Sequence, residues 1–547
     1  MAEPRPGAET PDAAARVAAP RRIRAPHENR GVVVDPPWSA LPAIIDANRA
    51  QLERCDYDFQ GRSLAVLRSL AQRELLDAAR RYTATYRDVA LDGRSERLFL
   101  AGHQPQLFHP GVWAKNFALG RLAAAHGATP INLVVDTDAP KSAALAVPTG
   151  TVERPHLSKV PFDRHRSGVP FERREIVDRD LFTSFDRRVV EQLHSLVPQP
   201  FVEQFWPRVI ARADATGNLG AAFAQARHQV EGDWASATLE LPQSRVCESE
   251  PFAWFAAHLL ANLPRLWSTY NDVVVEYRRA RRLRSVNHPV PNLAAADDWL
   301  EAPFWLWSAD DPVRRRVFAR QRGEELVISD RRGTEFALPV GPEDDASAAV
   351  DMLGQLGRRG ICLRTRALMT TLFARLVVGD VFIHGIGGGK YDELTDRIAE
   401  RFFGFELPRF AILSATLLLP IEQPEVHVEQ WRAVLNDLRA TQFHPERFVE
   451  RDGAAARNPQ AAELIAEKER WITGAGEPEL ARGRCHGIRS ANEALQPFIS
   501  HQRQALELRR ETLARQLAAQ RVLGRRDYSF CLYPEAEIRN FMLDFQA

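Results

Sequence analysis

Cysteine is scarce in this chain of 547 residues, which contains only five. They stand far apart, are odd in number and form no CxxC pair, at positions 55, 247, 362, 485 and 531. This pattern argues against a disulfide framework and a structural zinc site, and it fits a reducing cytoplasm. The motifs GxSxG, HExxH and GxGxxG are also absent, which removes the serine-hydrolase, zincin and dinucleotide-binding interpretations.

An excess of charge of one sign is missing as well. The chain has 72 Lys and Arg against 71 Asp and Glu, a net charge of +1. No global field would attract nucleic acid or an anionic membrane, so a charged ligand must be bound by a local site. No segment approaches the roughly 18 consecutive apolar residues of a membrane-spanning helix. We therefore expect no nucleic-acid or membrane partner and a cytoplasmic protein.

The N-terminal residues 1–37 are rich in Ala, Pro and Arg and lack the apolar segment that a secretory signal peptide needs. We predict that they form a disordered arm. An organellar transit peptide has a similar composition, rich in Arg and poor in acidic residues, and it is the alternative.

Near-continuous apolar segments alternate with helical patterns in the body of the chain. Residues 98–101, 131–135 and 381–384 have the composition of strands, and such strands are typical of a parallel sheet that is buried on both faces. Residues 317–338 alternate apolar and polar positions around glycines, which predicts a small antiparallel hairpin or meander. We divide the α/β fold into a helical lead-in and first half of the core (38–150), an inserted helical and small β subdomain (151–345), a second half of the core (346–424), a helical hairpin (425–526) and a tail that packs on the core (527–547).

The C-terminal part of the chain has a different apolar rhythm. Apolar residues recur there every three to four positions, and in part every seven positions. This spacing predicts two long helices that face each other. The positions that carry this rhythm are Val428, Trp431, Leu435, Leu438, Leu495, Ile499, Leu506, Leu513 and Leu517. Gly474, Gly476 and Pro478 supply the break between the two helices.

The segment AGHQPQLFHPGVWAKNF, residues 101–117, combines a strand end, two histidines and a helix start. Amides at a helix N-terminus attract an anionic oxygen, and His103, Gln104, His109 and Lys115 add donors. The segment predicts a site of phosphate or carboxylate size. The alternative is structural: His103 ends a strand, and His109 begins an ordinary helix.

Two carboxylates follow the second predicted strand. Asp136 and Asp138 lie where open parallel sheets present ligand-binding groups, at the carboxyl ends of strands. They are candidates for binding a substrate amine, for a general base or for holding magnesium. The alternative is a loop in which Asp138 caps the next helix.

The turn GIGGGKYDEL, residues 385–394, follows the third strand, which ends at His384. Gly387 and Gly388 let the backbone approach a ligand closely, and Lys390 can neutralise a phosphate or carboxylate. The turn is not a Walker A motif, and a glycine-rich turn by itself is a weak signal. Upstream, Arg364 and Arg366 have guanidinium groups that suit carboxylates, with surface salt-bridging as the alternative.

Several of these segments resemble, in order along most of the chain, the cysteine-adding enzymes of bacillithiol biosynthesis (BshC). The family segment TGQQxGLFxGPLYTxxK is similar to residues 101–117. The matching positions there are Gly102, Gln104, Leu107, Phe108, Gly111 and Lys115. The family segments FWxAxEDHD, TRPLMQ and PQERxWN are similar to the surroundings of residues 136–138, 365–370 and 534–540, and its CFDYD element is similar to residues 55–58.

The resemblance implies a Rossmann-like core, insertions and a long antiparallel coiled coil that forms a homodimer. It also implies that the carboxyl group of cysteine is joined to the amine of glucosaminyl-malate, with ATP, and with or without magnesium, as the activating cofactor. The departures lie in the site. His103 replaces the first Gln of GQQ, EDHD is reduced to Asp-Thr-Asp, and GGGKYDE replaces GPGE. The resemblance therefore bears more strongly on the fold than on the substrate.

The leading hypothesis is a carbon-nitrogen ligase that adds cysteine to an aminosugar or another amine. In it, the turn around Gly102 and His103 binds the nucleotide or the acyl anion, Asp136 or Asp138 handles the amine, and Gly387 to Lys390 closes the opposite side. The alternatives are an enzyme that resembles class I nucleotidylyltransferases and a non-catalytic coiled-coil scaffold with a vestigial nucleotide-binding core. The enzymatic assignment depends on one geometric expectation: the loops after residues 100, 135 and 384 meet at one edge of a shared parallel sheet.

Overall fold

The computed structural model describes residues 23–91, 95, 97–423, 425–451, 458–474 and 481–544. Its strands are β1 (Val32–Asp35), β2 (Leu98–His103), β3 (Thr129–Val134), β4 (Ala144–Thr151), β5 (Arg154–Pro161), β6 (Leu239–Pro242), β7 (Ala295–Ala296), β8 (Trp299–Ser308), β9 (Arg315–Arg322), β10 (Glu325–Ser329), β11 (Glu335–Leu338), β12 (Ile361–Thr365), β13 (Val381–His384) and β14 (Ala411–Ala415).

Most of the remaining ordered elements are α-helices. They are α1 (Leu41–Glu53), α2 (Leu64–Ala84), α3 (Pro110–Ala125), α4 (Arg179–Thr183), α5 (Phe185–Leu193), α6 (Val202–Thr216), α7 (Leu219–Asp233), α8 (Gln243–Val246), α9 (Glu250–Ala261), α10 (Leu263–Ala280), α11 (Ser347–Gln355), α12 (Ala367–Phe373), α13 (Ile386–Phe403), α14 (Val428–Phe443), α15 (Glu446–Arg451), α16 (Pro459–Thr473), α17 (Ala481–Leu495), α18 (Ser500–Leu523) and α19 (Glu535–Leu543). Within the described residues, no helix has the length and apolar character needed to cross a membrane.

The main sheet has six strands in the order β1-β14-β13-β2-β3-β6. Five of them are parallel, and β1 runs antiparallel to β14 at one edge. Alternate residues of β2 enter two different cores: Leu98 and Leu100 pack on one face, and Phe99 and Ala101 on the other. The expected parallel sheet with two buried faces is confirmed.

The strand order reverses between β2 and β13. The chain builds outward from β2 to β3 and β6, and later returns to the other side of β2 to add β13 and β14. His103 pairs with Val134 in register, and Ile383 pairs with Ala101, so the carboxyl ends of β13, β2 and β3 lie side by side. The expectation that the three loops share one edge of the sheet is confirmed. Open α/β sheets bind ligands at such a reversal.

Two strands lie in a different sheet from the one expected. β6 falls inside the segment predicted as an insertion, 151–345, yet it pairs with β3 in the main sheet. It is only four residues long and contains the buried Glu240, so its apolar pattern is weak. β12, expected in the second half of the core, instead pairs with β8 in a separate antiparallel sheet of order β11-β10-β9-β8-β12. The expected antiparallel meander forms part of that sheet, as β9, β10 and β11.

The two ends of the described chain both contact the core. Within the predicted disordered arm, 1–37, β1 pairs with β14 through four residues, so that prediction is wrong for this segment. Residues 1–22 lie outside the described residues. In the tail, aromatic side chains such as Tyr528, Phe530 and Tyr533 are buried in the core that covers one face of the main sheet.

The C-terminal helical region consists of shorter helices than the two predicted. Prolines interrupt the first half before α15 and at the start of α16, and Pro497 lies in a short 3-10 segment between α17 and α18, because proline cannot continue the hydrogen bonds of a helix interior. Helix α14 packs on α18 through Val434 and the predicted Leu513, and the predicted Trp431, Leu438, Leu506 and Leu517 pack against them, whereas the predicted Leu435 is not part of this cluster. Gly474 ends α16, and residues 475–480 lie outside the described residues.

Candidate functional site

The turn after β2 leads directly into helix α3 at the edge where the strand order reverses. His103 is the last residue of β2, and His109 precedes Pro110, the first residue of α3. These positions agree with the structural alternative, in which His103 ends a strand and His109 begins an ordinary helix, and they agree equally with a ligand-binding site. Gly111 is required by packing, because a Cβ atom there would lie 2.0 Å from the carbonyl oxygen of Ala415 in β14. The glycine thus lets the start of α3 approach the sheet.

Lys115 is a buried cation without a counterion. Its side chain is 2% exposed, and its Nζ donates to the carbonyl oxygen of Gly102 at 3.0 Å. Among the described residues, no carboxylate lies within ion-pair distance of it. Burial and the neighbouring Arg227 lower the pKa of Lys115 to about 8, so the amine is still mostly protonated at neutral pH. A buried ammonium with two spare hydrogens is suited to an anionic ligand.

The two histidines of the turn are neutral at pH 7. Burial and the Lys115 ammonium lower the pKa of His103 to about 3, and burial and Arg526 lower that of His109 to about 4. Nδ1 of His103 lies 3.0 Å from the carbonyl oxygen of Gln104, so Nδ1 carries the hydrogen and Nε2 is an acceptor. His103 is therefore suited to accept a hydrogen bond at Nε2 rather than to pair with an anion. Nδ1 of His109 is buried and has no hydrogen-bond partner among the described residues.

The end of β13 carries a third histidine, His384, whose ring faces the carboxylate of Asp392. Nε2 of His384 lies 2.7 Å from Oδ2 of Asp392, and that carboxylate also accepts from Arg375 at 2.8 Å and from Thr371 at 2.5 Å. Burial lowers the pKa of His384, although Asp392 opposes the shift. Nε2 of His384 faces the Asp392 carboxylate at ion-pair distance without the angle of a hydrogen bond, and Nδ1 has no hydrogen-bond partner among the described residues.

The glycine-rich segment is helical rather than a turn. Helix α13 begins at Ile386, so Gly387, Gly388 and Lys390 lie in its first turns. Gly388 makes room for the histidine, because a Cβ atom there would lie 2.8 Å from Nδ1 of His384. Lys390 is exposed on the helix surface, which argues against its expected contact with a ligand inside the site.

The two aspartates after β3 have different surroundings. Asp136 is buried and accepts from the backbone N–H of Ser244 at 2.8 Å and from its hydroxyl at 2.5 Å. Burial and the nearby Glu172 raise the pKa of Asp136 to about 7, so it can gain or lose a proton near neutrality. Asp138 accepts from Gln104 and pairs with Arg314 at 2.5 Å. Since β4 rather than a helix follows, Asp138 does not act as the helix cap of the structural alternative.

Arg364 and Arg366 are both occupied by protein carboxylates. The guanidinium of Arg364 forms two bonds of 3.0 Å to the two oxygens of Glu172 and one of 2.7 Å to Glu248. Arg366 pairs with the buried Glu301 at 2.5 Å. These pairs argue against the expected role of the two arginines in binding a substrate carboxylate. Glu172 precedes Arg364 by 192 residues, and no sequence pattern indicates the pair.

Together these elements form one polar site at the edge of the main sheet. The charge of Lys115 acts on His103, His109 and His384, which brings the β2 and β13 sides together electrostatically. The site offers an ammonium for an anion, neutral imidazoles that can accept hydrogen bonds, and a carboxyl that titrates near neutrality. Asp392 and Arg375 complete the β13 side. Among the described residues, no group of three or more His, Cys, Asp or Glu side chains is arranged to hold a metal ion.

Comparison of the sequence with protein-family models and with curated proteins identifies no relative. No protein-family model matches this chain, and no curated protein is significantly similar to it. The fold and the site define a mixed α/β protein with a polar site at the carboxyl edge of a mostly parallel sheet.

Proposed function

We propose that the protein is a carbon-nitrogen ligase of the cysteine-adding type, acting on an aminosugar or another amine. The observation that carries the proposal is the buried, unpaired ammonium of Lys115, which lies beside two histidine-bearing strand ends where the strand order reverses. Lys115 and Gly102 are also two of the positions that match the family segment. A site for an acyl anion beside proton-accepting groups is what amide formation from a carboxylate and an amine requires.

In the proposed reaction, Lys115 and the backbone N–H of Gly111, which is the first N–H of α3 because Pro110 has none, bind the carboxylate of cysteine. Asp136, when ionised, binds the protonated amine substrate and takes one of its protons, which frees the lone pair of the nitrogen. As this nitrogen attacks the acyl carbon, the C–N bond forms, the bond from that carbon to its leaving oxygen breaks, and the second proton of the nitrogen passes to Nδ1 of His384. Asp392 stabilises the imidazolium that results, because its carboxylate already faces Nε2.

A nucleotide phosphate fits the same edge of the sheet. The first N–H groups of α13, at Gly387 and Gly388, have no intrahelical partner and lie beside His384, and Lys115 supplies positive charge. ATP held there would supply the group that turns the carboxylate oxygen into a leaving group. Across the sheet, the parallel strands lie in the order β6-β3-β2-β13-β14. Counted from one in chain order, this is 3-2-1-4-5, the order of a Rossmann-type sheet. This order supports our proposal of a Rossmann-like core.

The test is to incubate the purified protein with cysteine, glucosaminyl-malate and ATP, and to measure the amide product by mass spectrometry. We expect an ATP-dependent product whose mass is that of the two substrates less one water. Consumption of neither substrate would contradict the proposal. In a deletion strain, the matching result is accumulation of glucosaminyl-malate, and an unchanged thiol profile would count against it.

The second candidate is nucleotidyl transfer without amide formation. It is favoured by the pair of neutral histidines, His103 and His109, at the two ends of the turn between β2 and α3. Release of pyrophosphate from ATP with no amide product would favour this candidate. Absence of binding to any nucleotide or aminosugar in calorimetry would favour the non-catalytic scaffold.

We also propose that the C-terminal helices form a coiled-coil surface through which two chains associate. Large apolar side chains are exposed there, including Leu508 at 63%, Phe443 at 54% and Ile472 at 49%. The expected mass in light scattering is that of a dimer, and Leu508→Asp should shift it toward the monomer. A monomeric wild-type protein at micromolar concentration would contradict the proposal.

A further inference from the structure

A second pocket opens beside the end of β6, one strand beyond Asp136. It has a volume of about 450 Å³ and lies between helices α2, α6, α7 and α8. Its lining includes the polar side chains Tyr82, Arg212, Asn218, Gln225 and Arg245. Ser244, which binds Asp136, is the residue directly before Arg245, so the pocket adjoins the Asp136 end of the site described above.

The two arginines of this pocket lack carboxylate partners. Arg212 donates from Nε and Nη2 to the side-chain oxygen of Gln225, at 2.9 and 2.7 Å, and Nη1 has no partner among the described residues. Arg245 forms no side-chain hydrogen bond to a described residue, and its guanidinium lies 5.3 Å from the centre of the Tyr82 ring. This contrasts with Arg364, which three carboxylate oxygens surround.

The floor of the pocket holds Arg212 in place, while Arg245 lies at the exposed mouth over the Tyr82 ring. Gln225 is 3% exposed, accepts from Arg212 and donates to the hydroxyl of Tyr82 at 3.1 Å. The carboxylates that act on Tyr82 are Glu240 and Asp136, and they are bound by Arg227 and by Ser244 respectively. The N-terminal end of α7 also borders the pocket through Ala221 and contributes its positive dipole end. The local charge is therefore positive and uncompensated.

We propose that this pocket is a binding site for the anionic end group, phosphate or carboxylate, of a small molecule. The forked donors of two guanidinium groups match the oxygens of either group. The rest of such a molecule would extend along the carboxyl edge of β6 toward Asp136. The assignment does not depend on the ligase proposal, since it concerns binding and uses none of the residues assigned to the reaction.

The test is calorimetric titration of the full-length protein with orthophosphate and, separately, with succinate. We expect the Arg212→Gln/Arg245→Gln protein to bind the preferred probe at least tenfold more weakly, as loss of charge-assisted hydrogen bonds predicts. The matched control is Arg154→Gln/Arg322→Gln, which removes two exposed arginines whose side chains have no partner among the described residues, and it should change affinity less than twofold. Preference for orthophosphate assigns a phosphate ligand, and preference for succinate assigns a carboxylate.

Titrations in a Lys115→Met background separate this pocket from the main site. Binding that disappears with Lys115 and persists in the double arginine variant would overturn the proposal, as would no binding of either probe at millimolar concentration. Chemical modification of the wild-type protein by phenylglyoxal gives a result that does not depend on the folding of a variant. The bound probe should protect Arg212 and Arg245 and leave Arg322 equally modified; equal modification of all three would overturn the assignment.

Discussion

Lys115 and Arg364 are two buried cations with opposite surroundings. Their exposures are 2% and 3%, so burial does not distinguish them. Arg364 is enclosed by the carboxylates of Glu172 and Glu248, whereas Lys115 has only a backbone carbonyl. A paired buried cation holds elements of the fold together, and an unpaired one retains the capacity to bind a ligand. The partners of a cation, rather than its burial, therefore indicate which residue carries function.

The largest expected effect is a loss of stability when Arg364, the paired cation, is replaced. Arg364→Met leaves the buried Glu172 without its counterion, and we expect the free energy of unfolding to fall by about 3–5 kcal/mol. Denaturant titration measures it, and Arg322→Met, at an exposed arginine without partners, is the control. A loss equal to that of the control would show that the pair does not stabilise the fold.

The next effect is on turnover, from the histidine and carboxylate at the β13 end. His384→Asn removes the proposed proton acceptor, and we expect kcat to fall about 100-fold or more, as for loss of a general base. The control is His165→Asn, at an exposed histidine without side-chain partners. Steady-state assay of amide formation measures the effect, and a kcat within twofold of wild type would exclude His384 as the base.

A smaller effect concerns pH and Asp136. Its folded pKa of about 7 lies above the unfolded value near 4, so its contribution to stability is present at low pH and is lost as pH rises toward 7. Asp136→Asn mimics the protonated form, and its stability relative to wild type should therefore increase by about 1 kcal/mol per pH unit between pH 5 and 7. Thermal unfolding at several pH values measures this, with the exposed Asp310→Asn as control; parallel curves for Asp136→Asn and wild type would contradict it.

The parts of the molecule that the sequence predicts well are those with local causes. The strands at residues 98, 131 and 381 are continuous apolar segments, and their parallel arrangement follows from burial on both faces. β6 was missed because Glu240, a charged residue, lies in a strand of only four residues, and its pairing with Arg227 of the preceding helix, α7, exists only in the folded chain. The glycines 387–389 suggested a turn, yet they begin a helix, since glycine there lets the chain pass closely under His384 and Ile412.

The candidate site likewise has features that the local sequence predicts and features that only the folded chain shows. His103 and His384 were identified because they end strands, and Lys115 because it follows a helix start, which the local pattern reveals. Whether a charged group can bind a ligand depends on whether a protein group already pairs with it. Such partners can lie far along the chain, as Glu172 does for Arg364. Arg212 and Arg245 gave no signal in the sequence for the same reason: their lack of carboxylate partners exists only in the folded chain.

The most direct test of the account compares two lysines at the same edge of the sheet. Amide formation from cysteine, glucosaminyl-malate and ATP is measured for wild type, Lys115→Met and Lys390→Met, together with the free energy of unfolding of each. The account predicts that Lys115→Met loses at least 100-fold in rate while unfolding at the same or a higher denaturant concentration, and that Lys390→Met keeps both properties. A Lys115→Met protein that retains the wild-type rate would contradict it.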